Sequence, residues 1–314
     1  MHSSSPRVSV IIPTKNEEQV IRECLSSVFD QSLTPYQVII VDGHSIDNTL
    51  KEARRFPVEI FCESAPTSLP NARNIGIENA SGDLFLVMDA DTVLKRDCVE
   101  KAVKYFQDPK VFAVIPALEI KAHTRLERTQ EKWLRGTSNP LRHGIGIFTF
   151  VEFFRKEVFE NIKFDPDLGY GEDDDFQQRF KQVYKGYGKI IYAHDCRISV
   201  HYPHTFKELW SQWTWWGRTF TRYLSKHVST RTFLILGSIL APTILLILGF
   251  LTLFFSLAVP FLILVSALLV ARTLIACYRS KSINFVEFIA FEFTRSLFFV
   301  FGVIQGFFSG ERGK

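Results

Sequence analysis

Phe85 to Leu94 reads FLVMDADTVL, an apolar run that ends in two carboxylates, Asp89 and Asp91, one residue apart. Such a run is a strand buried on both faces, and the charges at its end belong at the rim of a sheet rather than in its core. Towards the N-terminus, RVSVIIP and YQVIIVD are strands of the same kind, and VEIFC is a shorter one. EEQVIRECLSSVF, NTLKEARRF and NARNIGIENA, which separate them, have helical spacing. The βαβαβαβ order predicts an α/β fold with a mostly parallel sheet and helices on both faces. Ligands of such sheets bind beyond the carboxyl ends of the strands.

Three strand ends are therefore candidate site segments: PTKNEE (Pro13 to Glu18), DGHSIDNT (Asp42 to Thr49) and DAD (Asp89 to Asp91). Neither GxGxxG nor GxxxxGK[ST] follows the first strand, which disfavours a dinucleotide dehydrogenase or a P-loop enzyme. Paired carboxylates at a sheet mouth are hard oxygen ligands for Mg2+ or Mn2+, and such a cation can carry a diphosphate where no glycine loop does. A lone D-x-D is common by chance, and its other reading is a solvated strand end. Its place after a fully apolar strand favours the ligand role.

The 314 residues hold one α/β domain and an addition. A net charge of +4, with basic residues spread along the chain, gives no polyanion-binding tract and no sign of a nucleic-acid partner. Cys24, Cys62, Cys98, Cys196 and Cys277 show no paired or metal-like spacing, so they are expected as single thiols in a reducing compartment.

The last third predicts a membrane. The forty positions between Arg231 and Arg272 carry no charge. As one helix they would run ~60 Å, about twice the hydrocarbon core, so a hairpin of two spans is expected at 232–257 and 260–278, turning near Pro260. A third membrane segment, 285–308, carries Glu287, Glu292 and Arg295 in its first half, as a span with its polar side against the others or as an interfacial helix. No signal-length apolar core precedes the first strand, and Lys226, Arg231, Arg279 and Lys281 flank the hairpin. Both features place the first ~200 residues on the cytoplasmic face of a multi-pass protein.

VSVIIPTKNEEQVIRECLSSVFDQS, VIIVDGHSIDNT, NARNIGIENASGDLFLVMDADTVL and GYGEDDDFQQRF, in this order, resemble the family 2 inverting glycosyltransferases of GT-A fold, a nucleotide-diphospho-sugar transferase fold with a Rossmann-like, mostly parallel sheet. The resemblance covers roughly residues 7 to 225. It implies that Pro13, Thr14, Glu17 and Asp42 line the nucleotide pocket, with Asp42 at the base or ribose and Asp47 supporting the loop. It puts Asn71 and Arg73 near the nucleotide and its phosphates, Asp89 and Glu172 in the sugar-nucleotide site, Asp91 on the metal, and Asp173 in the role of general base. His201 in ISVHYPH falls where relatives add a histidine to the metal site; the other reading is a strand-end histidine held by a carbonyl, and His204 is read that way. Asp42 is followed by Gly43 where the family often has a second aspartate, which leaves base selectivity open.

Glu172 to Asp175 are four consecutive acids before QQRFKQVY, some of which would favour the positive end of that helix. Their repulsion should raise at least one pKa. A sugar hydroxyl needs a positioned base where a lipid phosphate does not, so a hydroxyl acceptor is favoured. Phe206, Trp210, Trp213, Phe220 and Leu224 recur at helical spacing, and with Trp215 and Trp216 they predict an interfacial amphipathic helix within 204–230. An ordinary core helix is the alternative. No arginine completes a Q-x-x-R-W pattern after Gln212, so one sugar per visit is favoured over processive synthesis. Arg135, His143 and the glycines of RHGIGIF fall in a loop where relatives shape the pocket.

The expectation is a catalytic domain at 1–203, the interfacial helix, and a membrane domain at 231–314. The function expected is metal-dependent transfer of a sugar from a nucleotide-sugar donor to a hydroxyl of a lipid-linked saccharide or glycolipid. A polyprenyl-phosphate glycosyltransferase and a non-catalytic membrane scaffold are the alternatives.

Overall fold

The structure is a computed structural model that describes residues 6–64, 68–119, 122, 124–137, 150–169, 171–227, 240–243, 267, 270–271, 274 and 285–309. The expected hairpin at 232–257 and 260–278 falls almost wholly outside the described residues, as does the expected loop from 138 onward with His143, while Arg135, expected in that loop, is helical.

The strands are β1 (Val8–Thr14), β2 (Gln37–Asp42), β3 (Glu59–Cys62), β4 (Leu84–Met88), β5 (Thr92–Leu94), β6 (Val111–Leu118), β7 (Val151–Arg155) and β8 (Lys189–Val200). They form one eight-stranded sheet in the order β3-β2-β1-β4-β7-β6-β8-β5. The helices, in chain order, are α1 (Ile21–Phe29), α2 (Thr49–Ala53), α3 (Leu69–Glu78), α4 (Cys98–Tyr105), α5 (Arg125–Thr137), α6 (Val158–Asn161), α7 (Glu172–Val183), α8 (Phe206–Lys226) and α9 (Phe285–Ser309).

The first half follows the expected alternation. β1 is parallel to β2 and β4, and β2 to β3, with Thr14 opposite Asp42 and Ile11 opposite Val87. The second half corrects the mostly parallel expectation. β7 runs antiparallel to β4 and β6, and β5 antiparallel to β8, so the sheet is mixed. Helices α5, α6 and α7 separate β6, β7 and β8 as they would in a parallel order, so the alternation in the sequence does not announce the reversal of β7. β7 also sets Phe150 beside Asp89, where their backbones pair.

Alternation along the strands divides the core between the two faces. Val10, Ile12, Ile40, Leu86 and Met88 pack under Leu25 and Val28 of α1 and Val99 and Ala102 of α4. Ile11, Phe85, Val87, Phe150 and Phe154 pack under Phe176 and Phe180 of α7. Leu86 is fully buried, and its truncation to alanine costs about 2–5 kcal/mol. Cys98 and Cys196 correct the expectation of single thiols: they are paired, with Cα atoms 4.6 Å apart, across 98 positions of sequence. Sequence spacing cannot show such a pairing, because β8 returns to α4 only in the folded sheet.

β1 to β8, with α1 to α4, α6 and α7, form one compact unit; α5 joins α8 and α9 in a second. In the second unit, Trp210 meets Phe298, the backbone of Thr214 meets Gly302, and that of Arg218 meets Gly306. The contacts advance four residues at a time on both helices, so α8 and α9 run parallel. A Cβ on Gly302 would lie 2.0 Å from the Thr214 carbonyl oxygen, so only glycine permits this approach. The expected third membrane segment is thus helical, and Phe288–Gly306 is long and apolar enough to cross a membrane. Its Glu292 and Arg295 are buried and paired with each other, and the guanidinium stacks on Trp213 at 5.1 Å. The tryptophan-rich stretch is corrected in part. Trp213 and Trp216 are buried within this unit as in a core helix, while Phe206 and Trp210 are exposed.

Candidate active site

Parallel register brings Thr14 of β1, Asp42 of β2 and the residues after β4 to one edge of the sheet. There the PTKNEE and GHSIDNT loops are laced together. Asn16, at φ 59°, donates its N–H to Ser45 Oγ at 2.9 Å and accepts from the Ile46 N–H at 2.9 Å. Glu17 N–H donates to Thr49 Oγ1 at 2.7 Å. Asp47 accepts from the Thr49 N–H and hydroxyl and from the Glu18 N–H, so it supports the loop. Asp42 is buried and accepts from both the N–H and the hydroxyl of Ser45, so its carboxylate holds its own turn. Thr14 Oγ1 is buried at this edge without a hydrogen-bond partner among the described residues.

Asn71 does not face this edge alone. Its amide donates at 2.8 Å to Glu63, a buried acid just past β3 that also accepts from the Ser68 N–H. Glu63 was missed in the sequence, although it follows β3 as Asp42 ends β2. The short, half-exposed β3 has too weak a strand signal to draw attention to its end.

Arg73, on α3, is the centre of the site. Its guanidinium is fully buried, with Nη2 2.8 Å from Asp89 Oδ1 and Nη1 2.9 Å from Glu172 Oε1. The rings of Phe150 and Phe164 lie 4.5 and 5.2 Å from it. A buried charge is tolerable only when paired in this way. Both terminal nitrogens of the guanidinium are thus held by protein carboxylates, while Nε has no hydrogen-bond partner among the described residues. The second Asp89 oxygen accepts the Phe150 N–H at 2.8 Å.

Asp91 and Glu17 are in the opposite situation. Both are half-buried, and neither has a cationic side chain within ion-pair distance among the described residues. Burial first, then the neighbouring Asp89 and Asp47, pushes Glu17 up to about 7. Burial first, then Asp89 and Glu17, pushes Asp91 well above the usual carboxylate range. Uncompensated hard oxygens of this kind fit a divalent cation such as Mg2+ or Mn2+. Among the described residues no three His, Cys, Asp or Glu side chains converge as a ready cage. None is needed where one or two carboxylates share the ion with substrate phosphates. His201 reaches Asp91 only through its backbone, donating N–H to the Asp91 carbonyl at 3.0 Å. Its imidazole Nε2 sits 3.0 Å from Glu23 instead, so the ring would have to leave Glu23 to serve as a ligand.

The four acids that open α7 separate by partner. Gly171, at φ 77°, takes the left-handed conformation that turns the chain into the helix. Glu172 goes to Arg73, Asp174 accepts from Gln178 at 2.8 Å, and Asp175 pairs with Arg179. Asp173 accepts only the Asp174 N–H, at 2.8 Å, and has no side-chain partner among the described residues. Burial pushes it above the usual carboxylate range, and burial also takes Glu172 up to about 7 against the pull of Arg73. Another acid, Glu152 of β7, lies nearby and is 3% exposed; no motif points to it, because it stands as a single acid between Val151 and Phe153.

The mixed sheet with an acidic mouth is that of GT-A-like sugar-nucleotide transferases. A mannosyltransferase from Pyrobaculum calidifontis, solved with GDP-Man and Mn2+, superposes with a TM-score of 0.56 at 20% identity over 98% of this chain and 89% of its own. Glucosyl-3-phosphoglycerate synthase of Mycobacterium tuberculosis, solved with Mn2+ and UDP, gives 0.52 at 18% identity over 70% and 78%. A model of Glycosyl transferase family 2 matches residues 9–163. Glycosyltransferase AglE of Haloferax volcanii is 30% identical over 67% of this chain and 71% of its own. A Methanococcus voltae enzyme named dolichyl N-acetyl-alpha-D-glucosaminyl phosphate 3-beta-D-2,3-diacetamido-2,3-dideoxy-beta-D-glucuronosyltransferase is 28% identical over 62% and 68%. The chain belongs to glycosyltransferase family 2, and it is an enzyme.

Proposed function

We propose that this glycosyltransferase moves a sugar from a nucleotide donor to a hydroxyl of a lipid-linked saccharide or other glycolipid, at the cytoplasmic face of a membrane and with inversion. The observation that carries the reading is Asp173, the one acid of its run left without a side-chain partner among the described residues. The acceptor oxygen attacks the anomeric carbon as its proton passes to Asp173, and the bond from that carbon to the diphosphate breaks on the opposite side. Pro13, Thr14, Glu17, Asp42 and Asn71 surround the nucleotide, with the Thr14 hydroxyl free to bond it. Arg73 fixes Asp89 and Glu172 at the sugar. Asp91 holds the divalent cation, with His201 joining it if its ring leaves Glu23. When bound, the cation supplies positive charge to the diphosphate oxygens of the leaving group.

The Methanococcus voltae relative supports a hydroxyl acceptor, because its name specifies a position on a lipid-linked sugar. A second reading, polyprenyl phosphate as acceptor, is supported by a dolichol-phosphate mannosyltransferase of Pyrococcus furiosus, 32% identical over 34% of this chain and 32% of its own. Helix α9, apolar over Phe288–Gly306, and the exposed Phe206 and Trp210 support attachment to the membrane. The test offers a radiolabelled nucleotide sugar with Mn2+ to extracted lipid-linked saccharides and, separately, to polyprenyl phosphate. Labelled saccharide lipid, lost in Asp173→Asn, is expected. Product on polyprenyl phosphate alone, made equally by Asp173→Asn, overturns the hydroxyl reading.

A further inference from the structure

Glu152 occupies an inward slot of β7 between Phe150 and Phe154, opposite Val87 of β4 and under Phe176 of α7. Every neighbour in that row is apolar, and the acid is 3% exposed. One neutral donor reaches it: Gln177 Nε2, at 2.6 Å from Oε1. No cation lies within ion-pair distance of it among the described residues. Gln177 stands one turn after Asp173, so the two side chains share a face of α7. The charged groups acting on Glu152 are Asp173 and Lys181 of α7 and Arg73 of α3.

We propose that Glu152 is a positioning residue for Asp173, a neutral carboxylic acid beneath the first turns of α7 that anchors Gln177 and leaves the negative charge of the pocket to the base. This rests on the reading of Asp173 as the base. An isolated carboxylate in an apolar slot keeps its proton, because ionisation there forfeits hydration that one amide cannot replace. Burial, reinforced by the Asp173 charge, pushes Glu152 up to about 8, against the opposing pull of Gln177, Arg73 and Lys181. Near neutral pH Asp173 therefore accepts the acceptor's proton while Glu152 retains its own. As pH rises through about 8, a second negative charge forms under the first turn of α7, repels Asp173 and loosens its aim.

The experiment measures kcat and KM against pH for the full chain and for Glu152→Gln and Glu152→Leu, together with infrared difference spectra of the carboxylic C=O band. The wild-type enzyme is expected to lose kcat as pH rises through about 8, and the wild-type minus Glu152→Gln difference spectrum at pH 7 is expected to show a protonated-carboxyl component. Glu152→Leu, which leaves Gln177 without its acceptor, is expected to lower kcat about tenfold with donor KM nearly unchanged. Glu152→Gln should restore most of that loss and abolish the alkaline fall. An unchanged alkaline fall in Glu152→Gln, or a wild-type minus Glu152→Gln difference spectrum without the protonated-carboxyl component at pH 7, overturns the proposal. Activity retained by Asp173→Asn would instead overturn the base reading, so the two failures are distinguishable.

Discussion

Arg73 Nη1 lies 2.9 Å from Glu172 Oε1 across 99 positions of sequence, and its other terminal nitrogen holds Asp89. The residue therefore ties the end of β4, where the donor is proposed to bind, to the first turn of α7, where the proposed base Asp173 stands. Breaking a buried pair strands the remaining charge, at a cost of about 3–5 kcal/mol. Arg73→Met is expected to lower the melting temperature and abolish transfer. Arg73→Lys should fold better yet stay well below wild-type kcat, because one ammonium cannot reproduce two separately directed N–H contacts. Wild-type turnover in Arg73→Lys would mean that the bridge does not govern the base.

Removal of the Asp91 carboxylate addresses the cation. With Mn2+ and a nucleoside diphosphate, the wild-type chain is expected to melt several degrees higher than without the metal, because ligands that bind only the folded state stabilise it. Asp91→Ala should lose most of that increment and at least about a hundredfold in kcat/KM, the order expected when one electrostatic stabiliser of a leaving group is removed. An undiminished Mn2+ shift in Asp91→Ala would place the ion elsewhere.

The parallel half of the fold was legible because its strands are continuous apolar runs and each ends where a polar loop begins. The reversal of β7 was not, since helices separate β6, β7 and β8 just as they would in an all-parallel order, and a strand's direction is not written in its own residues. At the site, Asp89, Asp91 and the acids of α7 were visible as motifs, but their partners were not. Nothing near Arg73 in sequence announces Glu172, and nothing near His201 announces Glu23. Glu152 is hidden for the opposite reason: its neighbours predict burial, which an unpaired acid is not expected to meet.

The raised acids also fix how stability depends on pH. Glu17 and Glu172 are pushed up to about 7 and Glu152 to about 8, from an ordinary value of 4.5. Above 4.5 the unfolded chain releases these protons while the folded chain keeps them, so the folded state binds more protons. The contribution of each group therefore falls as pH rises from 4.5 through about 7 to 8, by at most roughly 1.4 kcal/mol for every pH unit crossed. Metal-free protein is expected to melt higher at pH 5.5 than at pH 8, and Glu152→Gln should narrow the difference. A melting temperature that rises across this interval contradicts the assignment.

Gly302 tests the second unit. Its hydrogen lets the Thr214 carbonyl approach within 2.0 Å of where a Cβ would stand, and Gly217 makes the same kind of contact with the Phe299 carbonyl. A side chain at 302 must drive α8 and α9 apart, and because both contacts are to backbone, no rotamer change relieves them. Overpacking of this kind costs about 1–3 kcal/mol or more. Separation would also uncover Trp213 and Trp216, which are 2% and 8% exposed. Gly302→Leu is thus expected to shift tryptophan emission to the red and to lower the melting temperature. Val286→Ala, on the same helix but at a position 76% exposed, should change neither. If Gly302→Leu left the emission unmoved, the close parallel packing of α8 on α9 would be wrong.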